Sequence, residues 1–277
     1  MKLAWATDIH LDHVEDAKGA VQSLCSATSG CEAIILTGDI SLSNSIVQHL
    51  SIFDSLSEKC VYFVLGNHDY YFSDIRTTRQ RVANACRNMS YVRYLATTPY
   101  VRLRDDLAIV GHDGWYDAMN GDARRDGILM NDWIRINDFS VAMRGSFGGK
   151  TLDKGLIVQI ARAICAASVN HIANGIKAAI RDKYSKIIVA THVPPFKESY
   201  NGNKHFGMDA SDALPWYTSK VMGEMLLSAA KTYPHVHFTI LSGHSHSHYD
   251  QDLLNNLNVR VGKSAYGTPQ IAGYIDI

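Results

Sequence analysis

Seven side chains suited to hard cations lie in five short runs spread over most of this chain. The runs read Thr7-Asp8-Ile9-His10, Gly38-Asp39, Gly66-Asn67-His68-Asp69, Thr191-His192 and Gly243-His244-Ser245-His246. Asp8, His10, Asp39, Asn67, His192, His244 and His246 offer two carboxylates, one amide oxygen and four imidazoles. His68 and Asp69 add a further imidazole–carboxylate pair. One ion does not need so many donors; two do. Asp8 and His10, like His244 and His246, are spaced two apart, so on extended backbone both members project to one side, as chelation requires. Asp39 follows a glycine, which permits the sharp turn that sets a carboxylate between two ions. Imidazole suits zinc, iron or manganese, and the oxygen donors shift the preference toward manganese or iron. Two ions about 3.5–4 Å apart clamp a phosphoryl group and acidify a shared water. The expected cofactors are therefore two divalent transition-metal ions (Mn, Fe or Zn). The expected chemistry is hydrolysis of a phosphomonoester or phosphodiester, nucleotide-derived esters included, by in-line attack of the bridging hydroxide. His68 is the candidate for stabilising the transition state or protonating the leaving oxygen, with Asp69 fixing its tautomer.

The elements that must position these residues come just before them. Each run follows an apolar stretch that reads as a buried strand: Lys2–Ala6, Ala33–Leu36, Val61–Leu65, Ile187–Ala190 and Phe238–Leu241. In open α/β sheets, ligands gather beyond the carboxyl ends of the strands. Helical patterns cover Val14–Thr28, Ser45–Leu56, the neighbourhood of Arg76–Arg87, and Ser219–Ala230, and Leu107–Val110 is a further short strand. Such βαβα alternation predicts an α/β fold of parallel strands with helices on the outer faces. The tail, Val259–Val261 and Gln270–Ile277, reads as antiparallel strands closing a second sheet. The rhythm breaks at Gly114–Asp182, where a Gly-, Asp- and Arg-rich stretch leads into apolar positions near the 3.6 period from Leu152 to Ile180. We read 1–277 as a single domain with an insertion at about 114–182 that shapes substrate access.

The order D-x-H, G-D, G-N-H-D, a later His, then G-H-x-H resembles the calcineurin-like metallophosphoesterase superfamily, with the match running from Asp8 to His246. The resemblance implies a four-layer αββα sandwich of two mixed sheets flanked by helices. It implies that Asp8, His10, Asp39 and His246 hold one ion, and that Asp39, Asn67, His192 and His244 hold the other, with Asp39 bridging. It also implies that His68 lies beside the substrate phosphate, oriented by Asp69. One departure stands out: many members carry an acidic residue shortly after the G-D, and Ile40-Ser41-Leu42-Ser43-Asn44 has none. Two other readings share these motifs, a DNA-repair-type nuclease and a non-catalytic protein-binding scaffold. A scaffold has no need of the full ligand set.

Composition narrows the choice. At 277 residues and 46% apolar content the chain can bury a large core. Lys plus Arg equals Asp plus Glu at 27 each, which gives no electrostatic bias toward nucleic acid or an anionic membrane. The expected partner is a small phosphate-ester substrate. Five cysteines without C-x-x-C spacing fit reduced thiols, no basic-then-apolar signal segment opens the chain, and no apolar run reaches the roughly 18 residues of a membrane span. A cytoplasmic location is expected; nothing speaks to oligomeric state. Substrate selection is expected from His112, which ends a strand, from Tyr70 and Tyr71, and from Lys197, Asn201 and His205 in the Pro194–Trp216 loop. Arg124 and Arg125 are candidate phosphate partners.

Overall fold

The apolar runs form strands because alternate side chains find a buried surface on each face. A computed structural model of the chain describes residues 1–123, 128–144, 151–200 and 210–277. In the first sheet β1 (Lys2–Ala6), β2 (Ala33–Thr37), β3 (Cys60–Val64) and β4 (Val92–Tyr94) run parallel in that order. In the second, β6 (Leu107–Gly111), β9 (Lys186–Ala190), β10 (His237–Ser242) and β12 (Leu257–Val261) are parallel. Its edges are antiparallel: β5 (Val101–Arg102) beside β6, and β11 (Tyr249–Leu254) beside β12. A two-stranded ribbon pairs β7 (Met143–Arg144) with β8 (Thr151–Leu152).

Three apolar layers follow from the alternation. Leu3, Trp5, Ile35 and Val64 of the first sheet join Leu107, Ile109, Ile188 and Leu241 of the second in one buried cluster between the sheets. The interleaved Ile34, Leu36, Val61 and Phe63 point the other way, onto helices α1 (Ala17–Ala27), α2 (Ile46–Leu56) and α3 (Ile75–Cys86). On the far side Ala108, Val110, Ile187, Val189 and Ile240 pack against α5 (Lys154–Arg181) and α7 (Lys220–Thr232). The result is the four-layer sandwich, helices on sheet on sheet on helices. Two short helices, α4 (Asn131–Arg135) and α6 (Ala210–Tyr217), complete the described set.

The tail differs from its reading. Val259–Val261 does belong to the second sheet, where β12 runs antiparallel to β11 and parallel to β10. The last strand, β13 (Gly273–Asp276), instead joins the first sheet, antiparallel to β1, with Leu3 opposite Ile275. Ile275 lies in the cluster between the sheets, which gives the final strand a buried face there. The chain therefore crosses from the second sheet to the first over residues 262–272.

Within the Gly114–Asp182 segment, α5 is apolar and long enough by length and composition to cross a membrane. Its Ile172, Ile176 and Ala179 are buried against the second sheet and α7. Nearer its start, Ile157, Ala161 and Cys165 share a cluster with Trp115, Trp133 and Phe139. Among the described residues this segment has no core of its own; its apolar side chains divide between those of the two sheets.

Candidate metal centre

All seven candidate ligands converge where the carboxyl ends of the two sheets meet. Asp8 follows β1, Asp39 follows β2, Asn67 follows β3, His192 follows β9 and His244 follows β10. The loops are laced together: the Asp8 amide donates to the Gly38 carbonyl and the His10 amide to the Asp39 carbonyl, each at 3.0 Å. The His244 amide donates to the Asp8 carboxylate at 2.9 Å. Space forbids side chains at two glycines here. A Cβ on Gly38, whose φ is +88°, would lie 2.7 Å from the Gly66 amide, and one on Gly243 would lie 2.1 Å from the Asp8 carboxylate. Five ligands (Asp8, His10, Asp39, His244 and His246) themselves sit at positive φ, between +39° and +67°. Left-handed backbone is costly for residues with side chains and clusters at functional sites.

The donors fall into two groups that share Asp39. In the first, His246 Nε2 lies 3.2 Å from Asp8 Oδ1 and 3.3 Å from His10 Nε2, and His10 Nε2 lies 3.8 Å from Asp39 Oδ2. One ligand atom from each of these four residues fits within 4.8 Å of all the others. In the second, Asn67 Oδ1 lies 2.9 Å from His192 Nε2 and 3.0 Å from His244 Nδ1, while His192 Nε2 is 3.4 Å from Asp39 Oδ1.

Tautomers decide what the second group lacks. His192 Nδ1 is 2.8 Å from the Thr37 carbonyl, and His244 Nε2 is 3.3 Å from the Trp216 carbonyl. A carbonyl only accepts, so each of those nitrogens carries the proton. With both rings neutral, the opposite nitrogens present lone pairs to Asn67. The Asn67 amide is turned the same way, because its Nδ2 donates to Asp132 Oδ1 at 2.8 Å. In that state two imidazole lone pairs, an amide oxygen and a carboxylate oxygen face one another, and the gap is filled by positive charge, either a proton on His192 Nε2 or a metal ion. Only a cation satisfies such a set, and nitrogen with oxygen donors suits a divalent transition metal.

The electrostatics carry the same message. Burial works against charge on His192, yet the Asp39 carboxylate outweighs it and pushes the pKa up to about 10. Burial also opposes ionisation of Asp8 and Asp39, but neighbouring imidazoles overcome it: His246 draws Asp8 down to about 2, and His192 and His68 draw Asp39 well below the usual carboxylate range. His244 moves the other way, to about 4, through burial and the adjacent His192. The centre is built for added positive charge.

His68 lies at the same cavity but its supports are not those the resemblance implies. Its ring stacks on Tyr71 with centroids 4.3 Å apart, its Nε2 lies 3.9 Å from Asp39 Oδ2, and burial lowers its pKa to about 3. Among the described residues Asp69 does not bond the His68 ring. Its carboxylate accepts from the amides of Ile40 and Ser41 at 3.0 and 2.8 Å, and from Gly66 at 2.8 Å. Asp69 is thus a clamp between the second and third ligand loops.

Three substrate-facing expectations are corrected. Tyr70 is fully buried, and its hydroxyl donates to Asp113 at 2.5 Å, where Tyr94 and Arg79 also bond. Asp113 in turn accepts the Leu65 amide at 2.8 Å, so this network underpins the third ligand loop from below. His112 packs on His171 at 5.1 Å and lines a separate groove with Arg76, Arg79 and Thr97. Lys197 lines another groove, between residues 119–121 and α7. Asn201, His205, Arg124 and Arg125 lie outside the described residues.

Instead, the cavity of about 110 Å³ over the ligands is walled by Tyr71, Leu129, Met130, Asp132, Tyr217 and Tyr266. Asp132 has no motif around it. It is fully buried on α4, bonds both Asn67 and the Tyr71 hydroxyl, and its burial raises its pKa to about 6. Partners that orient a ligand typically carry about 10–100-fold of metal affinity. Asp132→Ala should therefore weaken binding of one ion by that factor and leave the other intact, read by competitive chelator titration. Equal weakening at both positions would mean a general loosening of the fold.

Comparison with known proteins agrees with this architecture. The model of the calcineurin-like phosphoesterase family matches residues 1–248, and the chain belongs to that family. Phosphoester hydrolysis is the chemistry that membership and this donor set support. No curated protein matches the chain. Among solved structures, a phosphopantetheinyl hydrolase from Mycobacterium tuberculosis is similar at 15% identity and TM-score 0.63, over 96% of this chain and 90% of that one. A dimetal phosphatase from Danio rerio is similar at 9% identity and TM-score 0.58, over 97% and 89%. At such identities the likeness is one of fold.

Proposed function

We propose that the chain is a dinuclear phosphohydrolase of small phosphate esters. The observation that carries this is the convergence of His192 Nε2, His244 Nδ1 and Asn67 Oδ1 beside Asp39, with the Asp8–His10–His246 group on the other side of the same carboxylate. Asp8, His10, Asp39 and His246 would hold one divalent ion, and Asp39, Asn67, His192 and His244 the other. Bound there, the ions supply Lewis-acid charge for the phosphoryl oxygens and acidify water.

The protein's own groups do the rest. Asp39 turns one oxygen toward each donor group, and Asp132 holds the Asn67 amide with its oxygen inward. His68, neutral at its low pKa, reaches the cavity with its ring braced on Tyr71 and donates N–H to the leaving oxygen. Tyr71, Leu129 and Met130 line the cavity, whose volume of about 110 Å³ suits a phosphoryl group with a compact leaving group.

The test is turnover by protein reconstituted with manganese or iron, across a panel of phosphomonoesters and phosphodiesters. Release of phosphate or alcohol from at least one class, abolished by chelator and restored by metal, is expected. Full metal occupancy without turnover of any ester would sink the reading.

A further inference from the structure

The segment that crosses from the second sheet to the first passes over the site, beyond residues 1–248 that the family model matches. It is fastened at three points. The Gly262 amide donates to the Ser242 carbonyl at 3.0 Å, the Ser264 hydroxyl to the Asp8 carbonyl at 2.7 Å, and the Ala272 amide to the Trp5 carbonyl at 2.8 Å. Between these anchors stands Tyr266, with Gly267 at φ +74° turning the chain behind it.

Tyr266 lines the cavity and packs on the imidazoles of the site. Its ring centroid is 4.3 Å from that of His10, 5.1 Å from His246 and 6.1 Å from His68. Yet 42% of the residue is exposed, and its hydroxyl makes no hydrogen bond to any described residue. The contrast with Tyr71 is informative, since that hydroxyl is committed to Asp132 at 2.8 Å. Tyr217, on the wall beside His244, is stacked on that ring at 4.8 Å and lies tilted against Tyr200 at 5.2 Å. Tyr266 alone of the three touches His10, His246 and His68 together. A phenol fixed by its ring and free at its hydroxyl, beside the neutral donor His68, is a second donor waiting for an anionic acceptor.

We propose that Tyr266 is a substrate-binding residue whose hydroxyl donates a hydrogen bond to a phosphoryl oxygen of the bound ester. The inference rests on the phosphohydrolase reading and adds a donor supplied by the chain's last crossing. Hydrogen bonds to charged groups carry about 1.5–3 kcal/mol, so their loss corresponds to roughly ten- to a hundredfold.

Tyr266→Phe keeps the ring packing and removes only the hydroxyl. Binding of inorganic phosphate to manganese-loaded protein, measured by calorimetry, should weaken by about tenfold to a hundredfold with metal stoichiometry unchanged. The kcat/KM for a phosphate ester that the wild type hydrolyses should fall by a similar factor, while Tyr217→Phe should change phosphate binding far less. Unaltered phosphate affinity in Tyr266→Phe with both ions in place would overturn the proposal. So would a loss of metal, which would make the hydroxyl a support for the ligand loops. A wild type that neither binds phosphate nor turns over any ester would overturn the phosphohydrolase reading, and this inference with it. An active wild type and an equally active Phe variant would overturn this inference alone.

Discussion

Asp39→Asn is expected to empty both metal positions and to reduce kcat/KM by at least about a thousandfold, equivalent to about 4 kcal/mol of transition-state stabilisation. The two oxygens of Asp39 face different neighbours. Oδ1 lies 3.4 Å from His192 Nε2, and Oδ2 lies 3.8 Å from His10 Nε2. Asparagine would keep one acceptor and turn an NH2 toward the other group, where a lone pair is required. It would also remove the negative charge that offsets two cations in a buried site. His244→Ala, by contrast, touches one donor group and should empty mainly one position. Metal analysis of protein purified without chelator and reloaded with manganese should give close to two ions for the wild type. Well under one is expected for Asp39→Asn, and about one for His244→Ala. Full occupancy in Asp39→Asn would remove the bridging assignment, and zero occupancy in the reloaded wild type would remove the dinuclear reading.

His68→Ala should separate the work of the ions from that of the imidazole. A hydrogen bond to the leaving oxygen matters most where that oxygen gathers the most charge. The loss should be only a few-fold with a nitrophenyl ester, and roughly ten- to a hundredfold with an alkoxide leaving group, the range for a hydrogen bond to a charged oxygen. Comparing kcat/KM refers both losses to free enzyme and substrate. Burial holds the His68 pKa near 3, so the ring acts as a neutral N–H donor and the loss should not vary with pH between about 5 and 8. Metal content must be unchanged, because the His68 amide also donates to Asp39 Oδ1 at 2.9 Å. Equal losses on both substrates would reassign His68 to charge stabilisation on the phosphoryl group.

The ligand runs were readable because strand ends and ligands coincide in the chain. Each apolar stretch announces its strand, and a glycine or threonine precedes the ligand where the backbone turns. The parallel sheets and helices α1, α2, α3, α5 and α7 followed from periodicity. What escaped had no local signature. Asp132 acts on a residue 65 positions away, and nothing in Asn131-Asp132-Trp133 separates it from any surface carboxylate. Tyr70 and His112 sit beside ligands or at a strand end, yet their side chains turn into the Asp113 network and a distant groove. Adjacency in sequence did not give direction. Asp69 was read as the partner of its neighbour, whereas a carboxylate three residues past a glycine turn is better placed to accept backbone amides. The final strand was assigned to the wrong sheet because an edge position depends on which neighbour offers an apolar face.

The left-handed backbone at Asp8, His10, Asp39, His244 and His246 has a thermodynamic consequence. Each such residue is strained by about 1–3 kcal/mol, so these turns store energy that surrounding contacts must restrain. With cations bound, the ligands are held at their tips as well as their bases. Stripped of cations, the same turns are the sites that relax first, while strands buried on both faces stay closed. Amide hydrogen exchange on chelated protein should therefore quicken at residues 8–10, 39–41 and 244–246 long before β1, β2 or β10 opens. Added manganese should slow those amides selectively. The centre would then behave as a latch on its own loops, with the metal setting how often they open.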